Sequence, residues 1–295
     1  MKKIRLLTTV ILATIIFSCS DAIGPVDMPP EAPFGLYSIT GDNEVTLYWE
    51  HNLEADLYEY ALYTSDSEDG VYVLDGTTTN NRYTFYIDNG VTKYLAVAAI
   101  DYAGNESNLS YDIVWDTPRP EGYNLSVYAL FYDEFDTNAD RCAIDFSDYD
   151  DYMIQDIDNE SNDIFIDNFE GTLFLNAYAD DTDIALIGRT YDLSDVDYAD
   201  PDEIDWDEEG FLPLYEDHSY VIWTYDNHFA TIRVREVYGD RIRFDWAYQT
   251  DPGNPQLKVS GEMKTDTERK LRFDIKNGLS EELKAKKRAK IKIIK

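Results

Sequence analysis

The sequence has very few of the side chains from which metal centres and nucleophilic sites are usually built. It contains two cysteines, Cys19 and Cys142, and three histidines among 295 residues. It has no Gly-x-Ser-x-Gly elbow, no His-Glu-x-x-His zinc helix, no phosphate-binding glycine loop and no dinucleotide fingerprint. These absences argue against the common classes of hydrolase, metalloprotease and nucleotide-binding enzyme.

Basic residues are also scarce, and they are unevenly placed. The chain has 25 Lys and Arg against 59 Asp and Glu, a formal net charge of -34. Eleven of the 25 basic residues lie between Arg269 and Lys295. The remaining body repels polyanions, which excludes nucleic acid and makes anionic lipid an unfavourable partner for it.

Long apolar runs are missing except at the N-terminus. Lys2, Lys3 and Arg5 precede an uncharged, largely apolar run over residues 6–17, which is long enough for a signal peptide and too short for a membrane-spanning helix. The run ends in Ile16-Phe17-Ser18-Cys19, which resembles the lipobox of bacterial lipoproteins. The resemblance implies a signal peptide over 1–18 and lipid on Cys19, followed by a tether over 19–28.

Lipidation would anchor the mature chain to a membrane of the cell envelope, with the outer membrane or cell surface as the expected location. It would also leave Cys142 without a disulfide partner. The alternative is an ordinary secretory signal in which Cys19 is incidental.

Short strand-like runs separated by turn residues follow the tether. Their spacing predicts a seven-stranded antiparallel sandwich over 29–117. The predicted strands are Gly35–Thr40, Glu44–His51, Leu57–Thr64, Val71–Asp75, Arg82–Ile87, Thr92–Asp101 and Ser110–Trp115.

Several segments of this region resemble bacterial fibronectin type III domains. They are Pro29-Pro30-Glu31-Ala32-Pro33, Val45-Thr46-Leu47-Tyr48-Trp49, Asp56-Leu57-Tyr58-Glu59-Tyr60 and the segment from Ala99 to Ser107. The resemblance implies an immunoglobulin-like fold and a role as spacer or protein-binding module. It adds no catalytic site.

A second β-rich domain is predicted over 123–264, after a linker at 118–122. No amphipathic helix of ordinary length interrupts it, so we expect an all-β chain up to the tail. The predicted strands are Leu125–Tyr132, Cys142–Phe146, Asp163–Ile166, Thr172–Ala177, Ile184–Gly188, Tyr220–Tyr225, His228–Val237 and Arg241–Tyr248, with an acidic loop-like insert over 194–209.

The hairpin over 228–248 has the clearest alternation of apolar and polar residues. Both apolar sets share one face only if the loop has an odd number of residues, and Tyr238-Gly239-Asp240 has three. Four arginines then share the other face: Arg233, Arg235, Arg241 and Arg243. They predict either local ion pairs with neighbouring acids or a small patch that binds anions or carboxylates.

The segment from Tyr220 to Val234 also resembles a hairpin of HmuY-like haem-binding lipoproteins. The haem function of that family implies axial histidines, and His218 and His228 are the candidates in this domain. Neither maps onto a ligand position of the family, and a histidine beside a turn is more often a turn residue. No cofactor is therefore predicted, with haem and calcium as open alternatives; the calcium-like loop at 156–160 lacks the glycine and the final glutamate of an EF-hand.

The C-terminal segment 265–295 is basic and partly helical by prediction. Residues 268–295 carry 11 basic and four acidic side chains. Ser280, Glu281 and Glu282 suit a helix start, and lysines fill the later turns. We expect this tail to dock on the acidic body, and contact with anionic lipid is the alternative.

The sequence thus predicts a non-enzymatic, lipid-anchored protein that acts by binding or scaffolding, with a protein or carbohydrate ligand. A small-ligand carrier for haem or carbohydrate is the second hypothesis, and a hydrolase in the second domain is the third.

We predict that Cys19→Ala abolishes lipid attachment, because acyl transfer requires that thiol. Metabolic labelling with a fatty acid should tag the wild type and leave the variant unlabelled. Cys142→Ala is the matched control and should be labelled like the wild type. Equal labelling of both Cys19→Ala and wild type would refute the anchor.

Overall fold

The computed structural model describes residues 28–112, 114–133, 135–257 and 285–287. The predicted signal peptide, Cys19, nearly all of the predicted tether and most of the basic tail lie outside these residues. No helix within the described ranges combines the length and apolar character needed to cross a membrane.

Residues 37–116 form two antiparallel sheets that face each other. One sheet has the strand order β1-β2-β5 and the other β4-β3-β6-β7. The strands are β1 (Tyr37–Gly41), β2 (Glu44–Tyr48), β3 (Leu57–Ser65), β4 (Val73–Thr78), β5 (Arg82–Tyr86), β6 (Lys93–Asp101) and β7 (Val114–Asp116). The predicted seven-stranded sandwich is confirmed, with strand ends shifted by a few residues.

The alternation in β2 explains how this sandwich is filled. Val45 and Leu47 are fully buried between the sheets, whereas Thr46 points outward and is only half-buried. Trp49 follows at 3% exposure and meets the ring of Tyr60 edge-on, with the centroids 5.1 Å apart. The indole is therefore core, as its strand phase predicts.

The second domain also consists of two sheets. The five-stranded sheet has the order β14-β16-β17-β18-β8, and the six-stranded sheet has β11-β10-β12-β13-β15 with β9 parallel to β12. The strands are β8 (Glu121–Tyr128), β9 (Leu130–Phe131), β10 (Ala143–Ile144), β11 (Ile154–Gln155), β12 (Ile164–Phe169), β13 (Thr172–Ala177), β14 (Asp183–Arg189), β15 (Phe211–Pro213), β16 (His218–Trp223), β17 (Phe229–Val237) and β18 (Arg241–Gln249).

The inner faces of these two sheets share one hydrophobic core. Ile164 and Ile166 of β12 pack there with Ile232 of β17 and Phe244 of β18, all fully buried. The all-β fold class is thus confirmed for both domains.

The predicted strand Cys142–Phe146 is wrong at both ends. Only Ala143 and Ile144 pair in the sheet, because the side chain of Asp145 accepts a hydrogen bond from the amide of Ser147 and starts a 3-10 turn. Cys142 is fully buried, and burial raises the pKa of its thiol to about 12.

The acidic insert is more than a surface loop. Val196 and Ala199 are buried against Val221, Phe229 and Leu257, on the outer face of the five-stranded sheet. The insert therefore covers apolar surface that would otherwise meet water.

Within the predicted linker at 118–122, residues 118–120 are buried at the junction between the domains, and Glu121 and Gly122 already belong to β8. The amide of Gly90 donates to the carbonyl of Pro118, and the amide of Arg119 donates to Gly41, both in the first domain. The amide of Tyr248 in the second domain donates to the carbonyl of Pro120. Backbone hydrogen bonds thus tie the junction to both domains.

Arg119 lies at the centre of this junction with no solvent exposure. Its Nε donates to the carbonyl of Leu257 at 3.0 Å and its Nη1 to Oε2 of Glu121 at 3.1 Å. Burial lowers the pKa of the guanidinium, and the carboxylate of Glu121 opposes that shift. The ion pair compensates part of the cost of burying this charge.

We predict that Trp49→Ala lowers the free energy of unfolding by about 3–5 kcal/mol, because it empties a large core site. The change is measured by denaturant titration of the full chain. Unfolding is monitored by far-UV circular dichroism, because the substitution removes a tryptophan and would alter the fluorescence signal. Tyr86→Ala is the control, since Tyr86 is 84% exposed and should cost little. A loss below about 1 kcal/mol for Trp49→Ala would contradict the core position.

Candidate functional site

The arginine hairpin is closed by a different turn from the one that alternation predicts. The amide of Tyr238 donates to the carbonyl of Arg241, so Gly239 and Asp240 form a two-residue turn. A bulge between Val234 and Glu236 then restores the parity that an even turn would break. The predicted three-residue loop is therefore wrong. Val234 and Phe244 nevertheless both point into the core, as the alternation predicts.

Each of the four arginines is paired with a carboxylate. Arg235 Nε lies 2.9 Å from Asp245, and Arg243 Nη2 lies 2.5 Å from Glu236, directly across the hairpin. Arg241 Nη1 lies 3.0 Å from Asp240. The guanidinium of Arg241 also stacks on the ring of Tyr238, 4.3 Å from its centroid.

Arg233 is the buried member of the set, with 3% exposure. Its Nη2 donates to Oδ1 of Asp217 and to the carbonyl of Thr190, both at 2.9 Å. Asp217 also accepts from Arg189, and the hydrogen bonds from these two arginines hold the pKa of its carboxyl below the usual value. The geometry of all four arginines favours local ion pairs over an open anion patch.

The two histidines of this domain lie at opposite ends of one strand pair. His218 begins β16, and the amide of Thr224, six residues later, donates to the carbonyl of His228. At about 3.3 Å per residue the two rings are separated by roughly 20 Å. Because a metal–imidazole bond is about 2 Å long, the pair cannot bind one metal ion together.

Each histidine has its own local partner. Nδ1 of His218 lies 2.7 Å from the carbonyl oxygen of Glu216, so this nitrogen carries the proton, and the buried Nε2 has no hydrogen-bond partner. Nδ1 of His228 lies 3.3 Å from Oδ1 of Asp226, and its ring lies against Tyr248.

Three carboxylates, those of Asp226, Asp163 and Asp145, act on Tyr248, whose ring lies against His228. Asp163 is 2% exposed and accepts a hydrogen bond from the amide of Phe146 at 2.8 Å. Burial raises the pKa of this carboxyl to about 8, although the Phe146 hydrogen bond opposes the shift, and the charges of Asp145 and Asp226 add to it. The raised pKa favours the protonated form of the Asp163 carboxyl at neutral pH, a feature that the sequence analysis did not predict.

These acids do not form a metal site. Within residues 28–112, 114–133, 135–257 and 285–287, no group of three or more His, Cys, Asp or Glu is arranged to hold a metal ion. The same holds for the acidic loop at 156–160, where the side chains of Asp156 and Asn159 accept hydrogen bonds from nearby amides.

A different polar site lies on the outer face of the six-stranded sheet. Asp167 of β12 is fully buried, and its Oδ1 accepts from Nδ2 of Asn176 on β13 at 3.1 Å. Its Oδ2 accepts from the hydroxyl of Tyr132 at 2.5 Å and from Nζ of Lys287 in the tail. Burial and the Asp167 charge raise the pKa of Tyr132, so the phenol stays protonated and donates.

Three phenyl rings complete this site. The centroids of Phe174, Phe169 and Phe211 lie 4.8, 5.7 and 5.9 Å from Nζ of Lys287. These distances are within the range of cation–π attraction. We call the set Asp167, Asn176, Tyr132, Phe169, Phe174 and Phe211 the ammonium pocket.

An open cavity of about 330 Å³ adjoins the ammonium pocket. Its lining includes Tyr132 and Phe169 of the pocket together with Phe131, Asp133, Asn168 and Glu170. None of these residues was a predicted site residue. The available signal was Asp167 itself, a carboxylate directly after the apolar run Ile164-Phe165-Ile166 of β12.

Comparisons with known proteins match parts of the chain. No family model matches the chain. An amylopullulanase of Thermoanaerobacterium thermosulfurigenes is 32% identical over 97 residues, which are 32% of this chain and 5% of that protein. The chain therefore spans about a twentieth of the length of this curated relative.

Two solved structures are similar to parts of the chain that differ in extent. An Fn3-like protein from Clostridium thermocellum has 26% identity and a TM-score of 0.26, covering 28% of this chain and 86% of that one. A DUF4466 family protein from Parabacteroides merdae has 13% identity and a TM-score of 0.38, covering 75% of this chain and 99% of that one. The resemblance of the first domain to fibronectin type III domains rests on its strand pattern and motifs.

We predict that Asp163→Asn becomes progressively more stable than the wild type as the pH rises from about 4 to about 8. Over that range the unfolded wild type is ionised at this position, while the folded wild type keeps the proton. Wild-type stability therefore falls by at most about 1.4 kcal/mol per pH unit at this one group, and asparagine has no such slope.

Denaturant titrations of both proteins between pH 4 and pH 9 measure this difference. Asp202→Asn, at an exposed carboxylate, is the control and should follow the wild type. A stability difference that stays constant between pH 4 and pH 8 would show that Asp163 is ionised in the folded protein.

Proposed function

We propose that this protein is a lipid-anchored, non-catalytic binding or scaffolding protein of the cell envelope. In this proposal the lipid on Cys19 holds the chain at the outer membrane or cell surface. The fibronectin type III-like domain then carries the second β domain, which presents the surface that binds a protein or carbohydrate ligand.

The observation that carries the proposal is the buried junction between the domains. Residues 116–120 are buried, and their backbone is hydrogen-bonded to Gly41 and Gly90 on one side and to Tyr248 on the other. Asn254 Nδ2 also donates to Oγ1 of Thr117 at 3.3 Å, and Gln256 Nε2 donates to Asp116 at 3.4 Å. Such a junction holds one domain in a defined orientation on the other, as a scaffold requires.

The engagement of the arginines and histidines also favours binding over catalysis. The four arginines are neutralised by nearby carboxylates, and His218 and His228 are far apart. None of these side chains forms a nucleophile–base pair with another, which is the arrangement that covalent catalysis requires.

The anchoring part of the proposal rests on the sequence. The basic N-terminus, the apolar run over residues 6–17 and the lipobox-like Ile16-Phe17-Ser18-Cys19 support it. Several acyl chains on one cysteine would bind a bilayer stably without a transmembrane helix.

The alternative function is a small-ligand carrier for haem or carbohydrate, with a hydrolase as the third candidate. The resemblance to HmuY-like proteins supports haem, but the separation of His218 and His228 removes a two-histidine ligand set. The match to an amylopullulanase involves 97 residues, which is the size of one immunoglobulin-like module of about 100 residues. It supports one shared module of this size and transfers no substrate to this chain.

We predict that haemin titrated into the purified wild-type chain produces no absorbance spectrum of iron with two axial histidines, because His218 and His228 cannot ligate one iron together. The variant His228→Ala tests the second domain. The variant His51→Ala removes a histidine of the first domain and is the matched control. A band in the wild type that disappears with His228→Ala but persists with His51→Ala would establish the carrier alternative instead.

A further inference from the structure

The ammonium pocket lies on a sheet face that alternation would leave exposed to water. Ile164 and Ile166 point into the core, so Phe165 and Asp167 point outward, as do Phe174 and Asn176 on the neighbouring strand. These four outward residues are nevertheless at most 3% exposed. The outer face is therefore built to be covered.

The carboxylate of Asp167 is held in place without help from the tail. Asn176 on β13 and Tyr132, just after β9, each donate to one of its oxygens. A buried carboxylate with two neutral donors still lacks a cation. The oxygen Oδ1 of Asn176 is also buried without a partner, so the pocket has a spare acceptor.

The chemistry of this pocket suits an alkylammonium group. The carboxylate supplies the opposite charge, and three ring faces within 6 Å stabilise a cation that has lost its water. The rings also surround the methylene stem of a lysine with apolar surface. A flat guanidinium has different hydrogen-bonding needs, which makes lysine the better fit.

The cation that fills the pocket comes from the far end of the chain. Lys287 is 120 residues from Asp167 in sequence, has no solvent exposure and belongs to the basic tail. Its neighbour Lys286 stays half-exposed, 3.5 Å from Glu170 at the adjoining cavity. Lys287 is thus the inserted residue, and Lys286 makes a peripheral contact.

We propose that the ammonium pocket is a receptor for the lysine side chain of a basic peptide segment, and that Lys287 of the chain's own tail occupies it as an intramolecular ligand. Within this arrangement Lys287 acts as a latch on the outer face of the six-stranded sheet. Withdrawal of Lys287 opens the pocket to a lysine from a basic segment in trans. The proposal does not depend on lipid anchoring or on the proposed scaffold role.

The test uses the full chain and a labelled synthetic peptide with the sequence of residues 279–295. The tethered tail acts at an effective concentration on the order of millimolar, so micromolar peptide should bind the wild type weakly. The Lys287→Met chain should bind the peptide at least about tenfold more tightly than the wild type does. The Lys286→Met chain is the matched control and should behave like the wild type.

Two further arms assign the binding to the pocket. Adding Asp167→Asn to Lys287→Met should return the affinity for the peptide to the weak wild-type level. A peptide with methionine in place of Lys287 should bind the Lys287→Met chain at least about tenfold more weakly than the natural peptide. Equal binding of both peptides, or equal binding by the wild-type and Lys287→Met chains, would overturn the proposal.

A measurement on the unmodified protein covers the case in which a variant fails to fold. Reductive methylation of the wild type followed by mass spectrometry reports the accessibility of each lysine. Lys287 should react at least about tenfold more slowly than Lys286, since the reagent must wait for local opening of the tail. Equal rates for the two lysines would show that the pocket is empty. If Lys287 is protected but the protein has the mass of a dimer in solution, the two copies exchange tails and the intramolecular latch is wrong.

Discussion

The desolvated guanidinium of Arg119 is the contact on which the arrangement of the two domains depends. It lies on the short segment between the domains, and its donors reach Glu121 at the start of the second domain and the carbonyl of Leu257 near its end. A charge without solvent is costly unless it is paired, so the chain around it must close to satisfy it. The beginning and the end of the second domain are thereby fastened at the point where the first domain attaches.

The same logic applies to the other buried cations, because acids are abundant in this chain and bases are scarce. Arg233 joins the hairpin to Asp217 and Thr190, and Lys287 joins the tail to Asp167. Each buried cation connects segments that are distant in sequence. An acidic chain thus gains tertiary specificity from a few well-placed positive charges, while most of its surface remains self-repelling.

Local patterns in the sequence predicted the longer strands well. The alternation of Val45 and Leu47 gave the phase of β2, and β13 lies at Thr172–Ala177 as expected. The two-residue strands β9, β10 and β11 are too short to show any periodicity. The bulge at Arg235 also has no local signature, and it changed how the arginine hairpin closes.

The candidate site was harder to predict, because its parts meet only through the fold. The acids that neutralise Arg235 and Arg243 were visible within the same hairpin, as Asp245 and Glu236. Asp167 was visible as a polar residue in an apolar strand, but its partner Lys287 lies 120 residues away. The opposite charges of the tail and the body predicted that the tail is attracted to the body. Which lysine enters the ammonium pocket is visible only in the folded structure.

The burial of Cys142 has a practical consequence. A thiol whose pKa is raised by burial and that has no exposed surface is a poor nucleophile at neutral pH. In the unlipidated Cys19→Ala form, a cysteine introduced at an exposed position would react with maleimides far faster than Cys142. Pairs of fluorescent or spin labels could then be placed on the two domains and on the tail without removing the native thiol.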